Sequence, residues 1–183
     1  MNYAAIKKFD IANGPGVRVS LFVSGCRHKC KNCFNQEAWD FNYGETFSKE
    51  KEEEVLEACR HDYIKGLSLL GGEPFEKENR EGLISLVSKF KERYSEKSIW
   101  CYTGFVLDKE LIKDGSDDII KLLSYIDVIV DGRFVESLKS ASLIFRGSSN
   151  QRIIDVKKTL SEGKIVLLEG TWERKMGSGN IYE

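Results

Sequence analysis

The amino-acid sequence predicts an α/β protein with parallel strands, on three grounds. Short runs rich in β-branched and aromatic residues alternate with longer runs of helical period, as expected when crossover helices join parallel strands. The chain has 183 residues, 41% of them hydrophobic, enough to bury one full core without covalent staples. Its chemically distinctive segments follow the strand runs, where α/β proteins place their sites.

Six strands are predicted, at residues 17–23, 67–70, 98–102, 128–130, 143–145 and 165–168. Helices are predicted over 49–59, 79–94 and 118–125. The second places Leu83, Val87, Phe90 and Tyr94 on one stripe, and the third clusters Ile119, Ile120, Leu122 and Leu123, so each has an apolar face for a sheet. Glu52, Glu53 and Glu54 fall near the start of the first helix, where the dipole favours negative charge, and read as a solvated turn. With Val17, Leu67, Ile99, Val128, Leu143 and Ile165 as markers, consecutive strands lie 50, 32, 29, 15 and 22 residues apart. A closed eight-strand barrel takes about 250 residues, roughly 31 per unit. The sheet is therefore expected to stay open, as a partial barrel of about six strands or as a doubly wound sheet. One domain is expected over 1–175, with a flexible tail at 176–183 that carries Gly177-Ser178-Gly179.

Composition excludes several classes. Lys and Arg number 28 against 29 Asp and Glu, a net charge of −1, so no global positive field exists to attract nucleic acid or anionic lipid. No stretch approaches the roughly 20 apolar residues of a membrane span, and residues 1–10 lack the apolar core of a signal peptide. A soluble, cytoplasmic protein is expected. Five cysteines cannot all pair, and three of them crowd into eight positions, which points to reduced thiols rather than a disulfide framework.

Those three form Cys26-Arg27-His28-Lys29-Cys30-Lys31-Asn32-Cys33, spaced C-x3-C-x2-C directly after the first predicted strand. Three thiolates suffice for three irons of a 4Fe-4S cluster and leave the fourth without a protein ligand. A structural zinc would need a fourth ligand from His28, His61, Cys59 or Cys101, and a redox pair would use only two of the thiols. Cys59 and Cys101, on a helix and in a strand, read as small buried hydrophobes, and His61 as an exposed helix-end residue. Arg27, Lys29 and Lys31 make a local positive patch, which would stabilise an electron-loaded cluster and suit an acidic electron donor. The second strand runs into Gly71-Gly72-Glu73-Pro74, where two glycines admit close backbone approach, Glu73 offers an acceptor and Pro74 stiffens the exit. The other proline lies in Asn13-Gly14-Pro15-Gly16-Val17-Arg18, leading into the cysteine strand.

Together these segments resemble the radical S-adenosylmethionine enzymes, and within them the glycyl-radical-enzyme activases, most closely those that act on anaerobic ribonucleoside-triphosphate reductase. The resemblance is carried further by Cys33-Phe34-Asn35-Gln36, by Trp100 with Tyr102-Thr103-Gly104, by Asp127-Val128 with Val130-Asp131-Gly132-Arg133-Phe134, and by the run from Arg146 to Asp155. It implies an open β/α barrel with a 4Fe-4S cluster on Cys26, Cys30 and Cys33. S-adenosylmethionine would chelate the open iron, its amino group bound at Gly71, Gly72, Glu73 and Pro74, with Glu73 or strand-end carbonyls accepting its protons. One electron would then split it into methionine and a 5′-deoxyadenosyl radical, which abstracts a glycine hydrogen from the reductase large subunit.

A reduced flavodoxin- or ferredoxin-like protein would supply the electron. Asn32 stands where the commoner pattern has an aromatic, so Phe34 is expected to stack on adenine, with the backbone near Asn32 approaching it. Thr103, Asp131, Arg133, Asn150 and Arg152 are the strand-end polar groups expected to reach ribose or carboxylate. Competing readings are an activase of another glycyl-radical enzyme such as formate C-acetyltransferase, a zinc-binding interaction module, and a simple electron carrier.

Overall fold

The computed structural model describes residues 1–170, so the predicted tail at 176–183 lies outside the described residues. Seven strands form one sheet: β1 Asn2–Asp10, β2 Val17–Val23, β3 Glu45–Thr46, β4 Ile64–Gly71, β5 Ser98–Tyr102, β6 Val128–Asp131 and β7 Arg152–Asp155, in the order β3-β1-β2-β4-β5-β6-β7. The four central strands β2, β4, β5 and β6 run parallel, and β1, β3 and β7 add antiparallel edges. The predicted α/β class holds. The sheet is mixed rather than all parallel, has seven strands rather than six, and is open at both edges.

Helices α1 Lys49–Ala58, α2 Lys77–Arg93, α3 Ile112–Asp114, α4 Asp117–Tyr125 and α5 Val156–Glu162 are joined by a π turn at Leu107–Leu111 and 3-10 turns at Gln36–Trp39 and Glu136–Leu138. Local chemistry sets the ends of α1 and α5: Ser48 Oγ accepts from Lys51 N at the start of α1, and Asp155 does the same for α5 through Lys158 N. Alternate strand residues face opposite sides of the sheet. Val19, Leu21, Leu67, Leu69, Ile99, Cys101 and Ile129 pack with Leu56, Leu83, Val87, Phe90 and Leu122 from the helices into the main core. On the other face Trp100, Val128, Val130 and Ile153 form a smaller cluster with Tyr102, Phe145 and Leu168.

Two predicted strands are absent. Residues 143–145 form a loop in which Phe145 has φ +59 and its ring meets Trp100 edge-on at 5.6 Å. Their apolar character reflects a lid over the second sheet face, not a place in the ladder. Residues 165–168 make only an isolated bridge, Leu167 to Ile154, while the strand itself is β7, inside the segment from Arg146 to Asp155. The three acids of α1 form a solvated turn only in part, since Glu53 is exposed and Glu54 half-buried but Glu52 is not. Glu52 is buried and paired with Lys89, Glu53 with Arg93 at 2.5 Å, and Glu54 with Lys8 at 3.0 Å.

Arg18 explains the Gly14-Pro15-Gly16-Val17-Arg18 motif. Its side chain is fully buried on the second face, donates to Ser68 Oγ at 2.7 Å, Ser98 Oγ, Leu67 O and Ser98 O, and lies over Trp100. Gly14 leaves room for it, since a Cβ there would sit 2.9 Å from Arg18 Cδ. This plug closes the amino-terminal end of the parallel strands and leaves their carboxyl end as the open one. Among the described residues no helix is long and apolar enough to cross a membrane.

Candidate functional site

β2 and β4 pair in parallel with Val23 opposite Gly71, so the cysteine loop and the Gly-Gly-Glu-Pro turn leave the sheet side by side. The two are stitched together by Gly72 N donating to Val23 O at 2.7 Å and Glu73 N to Gly25 O at 2.8 Å. Gly71 has φ +109, a conformation L side chains avoid. Gly72 is required for space, because a Cβ would lie 2.5 Å from Gly25 O and 2.9 Å from Ala38 O.

Glu73 is 1% exposed and its carboxylate makes four contacts that join three segments. Oε1 accepts from Thr103 Oγ1 at 2.7 Å and Phe75 N at 2.9 Å, and Oε2 accepts from Gly104 N at 2.7 Å and pairs with His28 Nε2 at 3.0 Å. His28 Nδ1 accepts from Arg133 Nε at 3.1 Å, which leaves the ring proton on Nε2, donated to Glu73. The ends of β4 and β5 and the cysteine loop thus meet at one buried carboxylate, and the β6 exit reaches it through Arg133 and His28. Its accepting capacity is spent on the protein, so the strand-end carbonyls are the acceptors left for a ligand.

Above this hub lies a cavity of about 400 Å3. It brings together the predicted Cys26, Cys30, Cys33, Phe34, Gly71, Gly72, Glu73 and Thr103. Phe34 is 70% exposed and tilts on Phe134 at 5.5 Å, leaving a face for stacking. Asn32, at φ +55, turns its amide outward to Glu136, and Pro74 is buried behind the turn.

The remaining predicted residues gather elsewhere. Asp131, Arg133, Asn150 and Arg152 line a neighbouring cavity of about 350 Å3. Asp131 accepts from Leu107 N and from Arg152, whose guanidinium also reaches Asp108 at 2.7 Å. Those two charges hold β6 against β7 and the π turn.

Sequence reasoning missed Trp39 and Tyr102 as cavity residues. Trp39 Nε1 and Tyr102 Oη are buried and meet no hydrogen-bond partner among the described residues, although both side chains line the cavity. Burial pushes the Tyr102 phenol above its usual range, so it stays a donor. Tyr102 carried a sequence signal, alternating with the buried Cys101 in β5; Trp39, in a short 3-10 turn, carried none.

The predicted basic patch is mostly offset. Arg27 reaches Glu76 at 2.5 Å and Glu78 at 2.6 Å, and Lys31 lies 3.9 Å from Glu136. Burial raises the Cys26 thiol to about 11 and raises Cys30 as well, against the pull of backbone N–H groups aimed at each sulfur, from His28 and Lys29 for Cys26 and from Phe134 for Cys30. A bare thiolate is costly here, and a bound metal centre would remove that cost.

The model of the family described as a 4Fe-4S single cluster domain matches residues 12–154. Curated relatives named anaerobic ribonucleoside-triphosphate reductase-activating protein agree over most of the chain. The one from Enterobacteria phage T4 is 42% identical over 153 residues, covering 84% of this chain and 93% of its own. Those of Vibrio cholerae and Escherichia coli K12 are each 41% identical, covering 84% and 82% of this chain and 97% and 96% of theirs. The chain belongs to this family of anaerobic ribonucleoside-triphosphate reductase-activating proteins.

The cavity fits the cluster that the family's domain carries. Its three cysteines face one space, and a cluster distributes its ligands over separate irons. A zinc ion needs four donors at one point, and among the described residues no three His, Cys, Asp or Glu side chains gather in that way. Each candidate fourth zinc ligand is also engaged elsewhere. Both His28 nitrogens are bonded, His61 stacks on Tyr63 at 5.1 Å, and Cys59 and Cys101 are fully buried in the main core.

Proposed function

We propose that this member of the family is a radical S-adenosylmethionine activase that installs a glycyl radical on anaerobic ribonucleoside-triphosphate reductase, on a sheet that forms an open partial β/α barrel. The observation that carries the reading is the cavity itself. Three thiols, a glycine-lined turn and two unpaired buried donors share one space at the carboxyl end of parallel strands.

When bound, a 4Fe-4S cluster and S-adenosylmethionine supply the reductive carbon–sulfur cleavage that yields a 5′-deoxyadenosyl radical. Cys26, Cys30 and Cys33 would hold the cluster, and the chain's other residues bind, orient and shield. Gly71 and Gly72 let the backbone approach the amino-acid end of the ligand, whose ammonium finds strand-end carbonyls. Tyr102 and Trp39 offer donors to its oxygens, and Phe34 a face to its adenine. The hub at Glu73 keeps these groups in fixed relation.

A protein substrate is supported by a groove of about 610 Å3 that shares Cys33, Phe34 and Gly71 with the cavity and runs along Ala4, Ala5 and Lys7 of β1. Its small side chains leave width for an extended polypeptide bearing glycine. The electron would come from a reduced flavodoxin- or ferredoxin-like protein.

Anaerobic reconstitution tests the reading. The wild-type protein should take up about four irons, release 5′-deoxyadenosine on reduction, and give a radical signal on the reductase large subunit. Cys30→Ala should lose iron uptake and cleavage together. One zinc per chain and no 5′-deoxyadenosine would refute the proposal, and a radical on formate C-acetyltransferase alone would reassign the substrate.

A further inference from the structure

We propose that Arg146 is the anion anchor of the cysteine cavity, holding the carboxylate at the amino-acid end of S-adenosylmethionine, and that Gln151 positions it. The inference rests on the reading above and gives one group of the ligand to one side chain. Arg146 is the one arginine or lysine among the residues that line the cavity. The carboxylate in that lining, Glu73, is already committed to Thr103, Phe75, Gly104 and His28. Arg146 is half-buried and meets no carboxylate among the described residues; its one hydrogen bond runs from Nη1 to Gln151 O at 3.0 Å. A guanidinium is a planar fork of donors, and most of this one is unspent.

The turn that carries it is built to hold it still. Gly147 N and Ser148 N both donate to Gln151 Oε1, at 2.7 and 3.1 Å, while Gln151 Nε2 donates to Gly132 O at 2.9 Å. The buried Ser148 Oγ accepts from Val135 N at 3.1 Å, and Asn150 Nδ2 donates to Arg133 O at 2.9 Å. Gly147 lies against Phe134, since a Cβ there would fall 3.1 Å from Phe134 Cδ2. The turn is thus fastened along the exit of β6. On its other side Phe145 stands at φ +59, a backbone conformation that costs energy in a phenylalanine and persists where the surroundings over-determine it. Gln151, Ser148 and Asn150 are spent on the turn itself, and the guanidinium is the charged group left over.

The chemistry selects the occupant. Arg146 donates to none of the three sulfurs, so the cysteines are not its partners. The ligand of the proposed function carries one anionic group, a carboxylate, whose two oxygens match the guanidinium fork. Trp39 and Tyr102 offer neutral donors on the same cavity, and Arg146 adds the charge. Lys29, the loop cation that likewise meets no carboxylate among the described residues, is exposed and does not line the cavity.

The test is calorimetric binding to the iron-loaded full chain in its oxidised, non-cleaving state, with two probes. One is S-adenosylmethionine; the other is its decarboxylated form, which keeps the sulfonium, the amine and the adenosine. Arg146→Met should weaken binding of the first about 30-fold, about 2 kcal/mol, and leave the affinity for the second unchanged. Arg146→Lys should recover part of the loss, because a point charge lacks the fork. Lys29→Met should bind both probes as the wild type does. Gln151→Leu should weaken the first probe about tenfold, and the two losses should not add in the double variant.

Should Gln151→Leu fail to fold, the Arg146 and Lys29 variants decide the matter alone. Unchanged binding of S-adenosylmethionine by Arg146→Met, a loss shared equally by both probes, or an equal loss in Lys29→Met would overturn the inference while leaving the proposed function intact. An iron-loaded wild type that binds neither probe, or a wild type that takes up no iron, would overturn both.

Discussion

Replacing Glu73 by glutamine isolates the worth of the hub, because the amide keeps the carboxylate's shape but turns one oxygen into a donor. If the amide nitrogen takes the Oε1 place, Phe75 N–H loses its acceptor; if it takes the Oε2 place, Gly104 N–H does. Thr103 Oγ1 is able to readjust as an acceptor, whereas a backbone N–H is not, and His28 Nε2 accepts only if its proton moves to Nδ1 and the bond from Arg133 Nε is given up. One buried amide is orphaned in either case, at about 1–3 kcal/mol. The surviving bonds also lose their charge assistance, which brings the expected loss to about 2–4 kcal/mol. At about 2–4 °C per kcal/mol for a chain of this size, the melting temperature should fall by about 5–15 °C. Thermal and urea unfolding of the metal-free full chain, followed by circular dichroism, would measure it. A Glu73→Gln protein within about 1 kcal/mol of wild type would show that the four contacts do not act as a stabilising hub.

Three further outcomes are expected. Burial lifts the Cys59 thiol to about 12 from 9.0, so the folded state keeps a proton that the unfolded state releases, and the thiol's contribution, whole below pH 9, is lost as pH climbs toward 12. Between pH 8 and pH 10 the wild type should lose about 1.4 kcal/mol more than Cys59→Ala in urea unfolding, and equal losses would contradict the buried-thiol account. Gly104→Ala should push the His28 ring off Glu73, cost about 1–3 kcal/mol and speed the release of iron to a chelator; wild-type retention would show the loop anchored some other way. Cys30→Ala should leave the metal-free fold within about 1 kcal/mol of wild type while abolishing iron uptake, since a half-buried thiol contributes little packing.

The central strands and the three long helices were legible in the sequence because their signals are local. Leu83, Val87 and Phe90 repeat at helical spacing, and Val17 to Val23 is β-branched and apolar whatever surrounds it. The cysteine spacing and the Gly-Gly-Glu-Pro turn were legible for the same reason. The edge strands β1, β3 and β7 were not legible. A strand near the sheet edge is partly bathed in solvent, as the exposed Lys7 and Lys8 of β1 are, and its pairing depends on a partner elsewhere in the chain. Residues 143–145 misled in the opposite sense, because an apolar lid and an apolar strand have the same composition.

Tertiary structure alone decided which charges survive at the site and what the buried polar groups do. Glu73 meets Thr103 and His28 across 30 and 45 positions, and Arg133 meets His28 across 105. Arg27 and Lys31 of the loop look free in one dimension, yet Glu76, Glu78 and Glu136 arrive from other elements to offset them. Side-chain periodicity is written along the chain, whereas Coulomb and hydrogen-bond energies depend on distances in space. The sequence therefore determined the cysteine spacing and the core, and only folding determined how those cysteines are held and which charges surround them.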